Sequence, residues 1–156
     1  MRGSGQVLGI ILVAVPLFGV HACGTSPGAA GNSNPIVGTW FVRDPDAPFP
    51  YHMYVFNADG TMQQANPDAG DPHSSDSDGK GVWVRDGDFV KGKWVEVTAD
   101  RATHKYTGRA EISFRVRVSA DTFTGTISAG SYDVSGNLID GPTKPTLLEG
   151  KRVTLP

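Results

Sequence analysis

Apolar and polar residues alternate along much of the chain after about residue 36. Between residues 111 and 120, every second residue is apolar, and these residues are Ile112, Phe114, Val116 and Val118. Between residues 122 and 132 the same face of the alternation carries Phe123, Gly125, Ile127 and Ala129. A period of two predicts strands with one buried and one solvated face. The small residues Gly125 and Ala129 on the apolar face indicate room inside the fold.

The pattern predicts eight strands and no helix in this region. The predicted ranges are 36–43, 51–57, 61–65, 81–86, 88–98, 103–118 with a candidate break near Gly108, 121–132 and 146–154. Tight turns at Asp59-Gly60 and Asp86-Gly87 join neighbouring strands as hairpins. Sequential hairpins form an antiparallel meander. With eight strands it either splits into a sandwich or closes on itself, and closure removes the exposed edges.

The first residues are typical of an export signal. Arg2 precedes an apolar run from Val7 to Val20, which is too short for a permanent membrane span of about 20 residues. Val20-His21-Ala22-Cys23 is similar to a bacterial lipobox, in which the cysteine is lipidated and becomes the new N-terminus. The alternative is an ordinary signal peptide cut at the same bond. Cys23 is the only cysteine, and an unpaired exported cysteine favours the lipoprotein interpretation.

The composition after Cys23 indicates a tether followed by one domain. Residues 23–34 contain mainly Gly, Ser, Ala, Asn and Pro and no charge, as in a flexible linker. We therefore expect a signal peptide at 1–22, a tether at 23–34 and a β-barrel domain at 35–156. Without Arg2 the chain would carry 13 basic and 16 acidic residues, which gives no electrostatic case for a nucleic-acid partner. The expected location is the cell envelope, on a membrane through lipidated Cys23, or secretion if Cys23 is not lipidated.

The first and last predicted strands carry a resemblance to a known group. Gly38-x-Trp40 and Arg152 resemble the Gly-x-Trp motif and the late arginine of lipocalin-like (calycin) barrels. The resemblance implies an up-and-down barrel of about eight antiparallel strands, in which Arg152 packs over Trp40 at the closed end. The usual C-terminal helix is not expected here, and a second lipocalin motif is not visible. Stretches such as "FNADGTM" and "SDGKGVW" also resemble small exported bacterial proteins without a settled activity.

An aspartate-rich stretch at 66–80 is the longest predicted loop. Ser74-x-Asp76-x-Asp78-Gly79 resembles the start of an EF-hand calcium loop, but its twelfth position is Arg85 where a glutamate is needed. His73 has no second histidine or cysteine nearby in sequence. We therefore predict no metal site. Its length is typical of a loop that covers a binding site, here the barrel mouth, and plain decoration is the alternative.

Three residues are candidate acid–base groups. Glu96 is predicted to point into the barrel, where burial would raise its pKa. Pairing with an arginine at the rim is the alternative and is favoured. His52 is ambiguous, because either face of its strand is apolar enough to be buried. His104 lies near Asp100, which could set up a general base, but a charged turn between two strands is the favoured interpretation.

The remaining candidates are aromatic and polar side chains that could line a cavity or belong to an ordinary core. The predicted ligand-binding residues are Tyr54, Met62, Gln64, Trp94, Phe114 and Tyr132. The sequence contains no phosphate loop or dinucleotide fingerprint, so no cofactor is predicted. The leading hypothesis is a tethered barrel that binds a small apolar or amphipathic molecule. The alternatives are a barrel cyclase or isomerase and a structural envelope protein with a filled core.

Overall fold

The computed structural model describes residues 34–68 and 70–156. The signal peptide, Cys23 and nearly all of the tether lie outside the described residues. The described chain contains ten strands: β1 (Gly38–Arg43), β2 (Tyr51–Phe56), β3 (Thr61–Ala65), β4 (Ser74–Asp76), β5 (Gly79–Asp86), β6 (Phe89–Asp100), β7 (Tyr106–Ser119), β8 (Thr122–Asp133), β9 (Leu138–Asp140) and β10 (Thr146–Arg152). Helices are absent from this part of the chain, and no membrane-spanning helix is found in it.

Eight of the strands close into an antiparallel barrel. Their order around the barrel is β1-β2-β3-β5-β6-β7-β8-β10, and β10 pairs with β1 to complete the circle. Consecutive strands are neighbours at almost every step, as the turn signals predicted. The all-β, up-and-down fold expected from the sequence is therefore confirmed, and it is consistent with the lipocalin-like architecture.

The inward face of the barrel holds the hydrophobic core. The predicted inward sets on β7 and β8 are buried there, led by Val116, Phe123 and Ile127. On β2, Tyr54 and Phe56 are buried while Tyr51 is exposed, which resolves the ambiguity over this strand. His52 therefore shares the inward face.

Gly125 does not leave room inside the barrel, contrary to the sequence-based expectation. A Cβ at this position would collide with the carbonyl oxygen of Arg115 on the neighbouring strand. The glycine instead lets β7 and β8 approach each other closely.

The wall of the barrel is taller on one side than on the other. β6, β7 and β8 have 12, 14 and 12 residues, whereas β1, β2 and β3 have five or six. The short strands β4 and β9 pair with the projecting parts of β6 and β8. Neither was predicted, because three-residue strands carry too little alternation to detect. β7 is also continuous through Gly108, and the irregularity lies opposite, as a register shift between Thr98 and Ala99 of β6.

One end of the barrel is closed by Trp40. Its Nε1–H donates to the carbonyl of Ile36 at 2.7 Å, and its side chain is fully buried. The guanidinium carbon of Arg152 lies 4.3 Å from the Trp40 ring centroid, and Nη1 of Arg152 donates to the carbonyl of Val37 at 2.8 Å. Gly38 has a φ of 133°, and a Cβ there would lie 2.7 Å from Nη1 of Arg152. Only glycine therefore fits beneath the arginine.

Candidate functional site

The opposite end of the barrel contains a cavity of about 550 Å³. The inner faces of β2, β3, β6, β7 and β8 form its walls, and the segments after β1, β3 and β9 surround it. The apolar part of the lining includes Phe49, Trp94, Ala110, Ile112, Ile127 and Ala129. Two of these are alanines in a layer where larger side chains would fill the space. The cavity therefore arises from small residues on the inward face.

A buried amide organises the polar part of the cavity. Gln64 is 1% exposed, and its Oε1 accepts a hydrogen bond from the backbone N–H of Gly79 at 3.0 Å. Its Nε2 lies 3.1 Å from Nδ1 of His52 and also donates to Oδ1 of Asn66. A Cβ at Gly79 would collide with the Trp94 ring, so glycine is needed at this contact. The amide thus links β3, β5 and β2 around the cavity.

Two buried polar atoms on this wall lack a protein partner. In the described part of the chain, neither the Tyr54 hydroxyl nor Nε2 of His52 has a hydrogen-bond partner. Tyr54 is fully buried, and its ring contacts that of Trp94 edge to face with centroids 5.0 Å apart. Buried polar groups are almost always hydrogen-bonded, so these two unpaired atoms lower the stability of the free protein.

Burial favours the uncharged form of both groups. It raises the pKa of Tyr54 well above its ordinary value, and the charges of Asp44 and Glu96 act in the same direction. Burial lowers the pKa of His52, while the charge of Asp44 and the backbone carbonyl of Phe49 oppose the shift. At neutral pH the cavity wall therefore presents a phenol and a neutral imidazole.

Glu96 points into the barrel beside them, as its position on β6 predicted. Its Oε1 accepts a hydrogen bond from Nε1 of Trp94 at 3.1 Å. Burial raises the pKa of Glu96 to about 7, and the charges of Asp76 and Asp78 add to the effect. The favoured expectation of an arginine partner is wrong, because none of the ion pairs found among the described residues involves Glu96.

The lining is acidic. Its carboxylates are Asp44, Asp46, Asp68, Asp71, Asp76, Glu96 and Asp140, and none of the described lining residues is lysine or arginine. Asp44 is 8% exposed, and burial raises its pKa. Asp44 was not predicted from the sequence, although it continues the inward alternation of Trp40 and Val42 beyond β1.

The aspartate-rich loop lies at the cavity. Asn66, Asp68, Asp71 and residues 74–76 are part of the lining. Arg101 attaches the loop to the β6–β7 turn: it forms an ion pair with Asp68, and its Nε donates to the carbonyls of Asp71 at 2.6 Å and Ser74 at 2.8 Å. The loop also contains β4, so it is more ordered than a bare loop. Over the described residues, no group of three potential metal ligands is found.

The structure divides the predicted site residues into two sets. Tyr54, Gln64, Trp94, His52 and Glu96 line the cavity together.

The other predicted residues lie elsewhere in the described chain. Met62 and Phe114 are buried core residues outside this lining, and Tyr132 lies beneath the guanidinium of Arg109 at 4.6 Å. His104 is exposed in the β6–β7 turn with a φ of 57°, and its backbone N–H donates to the carbonyl of Asp100. The Asp100 carboxylate accepts from Thr103 instead, so the structure does not bring the Asp100 and His104 side chains together by a hydrogen bond.

Comparisons with known proteins add no family to this description. No protein-family model matches the chain, and neither the curated proteins nor the solved structures give a match. The geometry of the cavity therefore carries the functional argument.

Proposed function

We propose that the barrel binds a small, mainly apolar or amphipathic molecule in the cavity at its open end. The observation that carries the proposal is a cavity of about 550 Å³ whose wall includes Trp94, Ile112 and Ile127. Cavities of about 300–1,000 Å³ with apolar walls and a few placed polar groups are typical of small-molecule sites. The cavity also speaks against the structural alternative, which requires a filled core.

The chemistry of the wall suggests how such a molecule would be held. The ring of Trp94 and the side chains of Ile112 and Ile127 would cover its apolar part, and removal of that surface from water would supply most of the affinity. The polar groups around His52 and Tyr54 would fix its orientation.

Native mass spectrometry of the full chain, purified without denaturation, tests the proposal. We expect a stoichiometric additional mass that is released on unfolding. Ala110→Phe should abolish it by filling the cavity, whereas Ala102→Phe in the exposed β6–β7 turn should retain it. A clean apo mass, together with no binding of added apolar probes, would refute the binding function.

The expected location is a further part of the proposal. An envelope protein attached to the membrane through lipidated Cys23 would meet apolar molecules where they concentrate. Metabolic labelling with a radioactive fatty acid should mark the protein, and Cys23→Ser should remove the label. An unlabelled chain that is released in soluble form would indicate secretion instead.

A second candidate function is acid–base catalysis on a small hydrophobic substrate, as in a cyclase or isomerase. The specific observation is that Glu96, with a pKa of about 7, and neutral His52 line the same cavity. A carboxyl group that titrates near neutral pH can both accept and donate a proton. Glu96→Gln would then abolish turnover while ligand binding is retained. A change in affinity alone would favour the binding function.

A further inference from the structure

The cavity at the open end is surrounded by negative charge that the described chain does not balance. Seven carboxylates line it, and none of the described lining residues is lysine or arginine. Arg101 forms an ion pair with Asp68. The other six carboxylates take part in none of the ion pairs found among the described residues. The cavity therefore has an excess of negative charge at its wall and mouth.

Asp44 is the most deeply buried of these carboxylates. It is 8% exposed, and its Oδ1 accepts a hydrogen bond from the backbone N–H of Asp46 at 3.3 Å. Burial is the largest influence on the Asp44 carboxyl and raises its pKa, so its hydrogen bonds do not fully replace the water that it has lost. A nearby positive charge would stabilise the ionised form, and it would act over a distance, without direct contact.

Glu96 is the carboxyl group that a bound molecule can reach. It is only partly buried, and its Oε1 accepts a hydrogen bond from Nε1 of Trp94 at 3.1 Å, whereas Oε2 accepts none within the described chain. Asp76 on β4 is exposed and lines the same cavity. The charged and titratable groups around Glu96 are Asp44 after β1, His52 and Tyr54 of β2, and Asp76 and Asp78 at β4 and just after it. Burial favours the neutral form of His52 and Tyr54, so no cation faces Glu96 from these elements.

The arrangement of the carboxylates favours an organic cation over a metal ion. Among the described residues, no three potential metal ligands lie close enough together to hold an ion. A metal ion would also leave the apolar walls at Trp94, Ile112 and Ile127 uncovered. An ammonium group on an apolar chain would satisfy both parts of the lining, whereas an anion would be repelled by the carboxylates.

We propose that the cavity selects an amphipathic organic cation, with its apolar body against Trp94, Ile112 and Ile127 and its ammonium group beside Glu96 and Asp76. This inference rests on the proposed binding function and specifies its ligand class as a single-chain amine or quaternary ammonium compound. The apolar walls accept the chain, and the unbalanced carboxylates select the sign of the head group.

A bound cation and the proton of Glu96 compete with each other. The pKa of Glu96 is about 7 in the free protein, and an ammonium group beside it favours the ionised form. Affinity for a permanent cation should therefore rise as the pH increases from about 6 to about 8. A neutral molecule of the same length should show no such rise.

Three probes with the same ten-carbon chain test the inference on the full chain: decyltrimethylammonium, 1-decanol and decanesulfonate. Their charges do not change with pH, and each is used below the concentration at which it aggregates. Binding is followed through the NMR signal of the Trp94 indole N–H, which contacts Glu96. At pH 8 and low ionic strength we expect the cation to bind about tenfold more tightly than the alcohol. Decanesulfonate should bind most weakly.

Variants assign the preference to individual carboxylates. Glu96→Gln should lower the ratio of cation affinity to alcohol affinity by about fivefold and abolish the rise with pH. Asp76→Asn should lower the ratio by about twofold, because Asp76 is exposed and its charge is screened by water. Asp88→Asn is the matched control: this exposed carboxylate pairs with Arg117 outside the lining, and its loss should leave the ratio unchanged.

The outcomes separate this inference from the proposed function. Equal affinities for the cation and the alcohol at pH 8, tightest binding of decanesulfonate, or an equal loss of preference in Asp88→Asn and Glu96→Gln would each overturn the cation assignment. Each of these results would leave the binding function standing. Failure of all three probes to bind would overturn both.

Discussion

The two ends of the barrel differ in whether their buried polar groups have hydrogen-bond partners within the protein. At the closed end, Nε1 of Trp40 donates to a carbonyl, and the Arg152 guanidinium donates to two carbonyls and to the carboxylate of Asp121. At the open end, the buried Tyr54 hydroxyl and Nε2 of His52 have no protein partner among the described residues. One end is thus satisfied within the protein, whereas the other leaves two buried polar atoms unpaired.

The different hydrogen bonding at the two ends indicates which end contributes stability and which end contributes function. A satisfied and closely packed end supplies stability that the open end does not have to provide. An unsatisfied and acidic end lowers the stability of the free protein, a common property of binding sites. Each of the following predictions tests this division.

The largest expected effect is the loss of a tryptophan at the closed end. Trp40→Ala should lower the free energy of unfolding by about 3–5 kcal/mol, because it removes a fully buried ring and its hydrogen bond. Trp94→Ala should cost less, since Trp94 already borders the cavity and loses fewer packing contacts. Urea denaturation of both variants measures the difference. An equal or greater cost at Trp94 would contradict the division.

Glu96→Gln should stabilise the protein at alkaline pH. The folded pKa of about 7 lies above the ordinary value of 4.5, so the folded state holds this proton more tightly than the unfolded state. The stability that Glu96 contributes is therefore present below pH 4.5 and is lost as the pH rises through 7.

Above that window we expect Glu96→Gln to be more stable than the parent by about 1–2 kcal/mol, after allowance for partial exposure of the carboxyl. The advantage should shrink on acidification. Unfolding curves of both proteins across this pH range measure it, and an advantage that grows at low pH would show that Glu96 is not destabilised by burial.

Tyr54→Phe should raise stability. Removal of a buried hydroxyl without a protein partner relieves a desolvation cost, so we expect a gain of about 1 kcal/mol. Tyr51→Phe, at an exposed position, should change stability by less than about 0.5 kcal/mol. Thermal unfolding of the two variants in parallel provides the measurement. A marked destabilisation by Tyr54→Phe would mean that the hydroxyl is satisfied in the free protein.

The smallest effect is expected from Arg101→Met, which detaches the loop at the open end without disturbing the core. The Ser77 amide donates to the carbonyl of Val97 next to β4, and its hydrogen exchange should become faster as the loop opens locally. Arg85→Met, near the β5–β6 hairpin, is the matched control and should leave this amide unchanged. Unaltered exchange in Arg101→Met would show that the loop is held by β4 alone.

The sequence predicted the barrel because the signals for its strands are local. Alternation on β7 and β8 and the turn at Asp59-Gly60 are each readable within a dozen residues. The inward position of Glu96 followed from the same alternation.

The site depends on contacts that alternation does not encode. The amide of Gln64 meets His52 and Gly79 across three strands, and that meeting depends on the register of the closed barrel. Asp44 was overlooked because it lies beyond the end of a strand. Hydroxyls without partners cannot be recognised from sequence, since partners are known only once the chain is folded.

The projecting strands β6 and β8 have a consequence for self-association. Each of these strands extends beyond the end of its neighbour in the barrel, and there one residue pairs with its exposed backbone. Ser77 pairs with Val97 of β6, and Thr143 pairs with Ala129 of β8. In both pairs a hydroxyl accepts the strand's N–H, and the covering residue's own N–H donates to the same strand residue's carbonyl. A hydroxyl thereby takes the place of a neighbouring strand's carbonyl, and β4 and β9 continue the cover. The tall wall consequently offers a second copy of the chain no free backbone template at these positions, which favours a protein that stays dispersed at high local concentration.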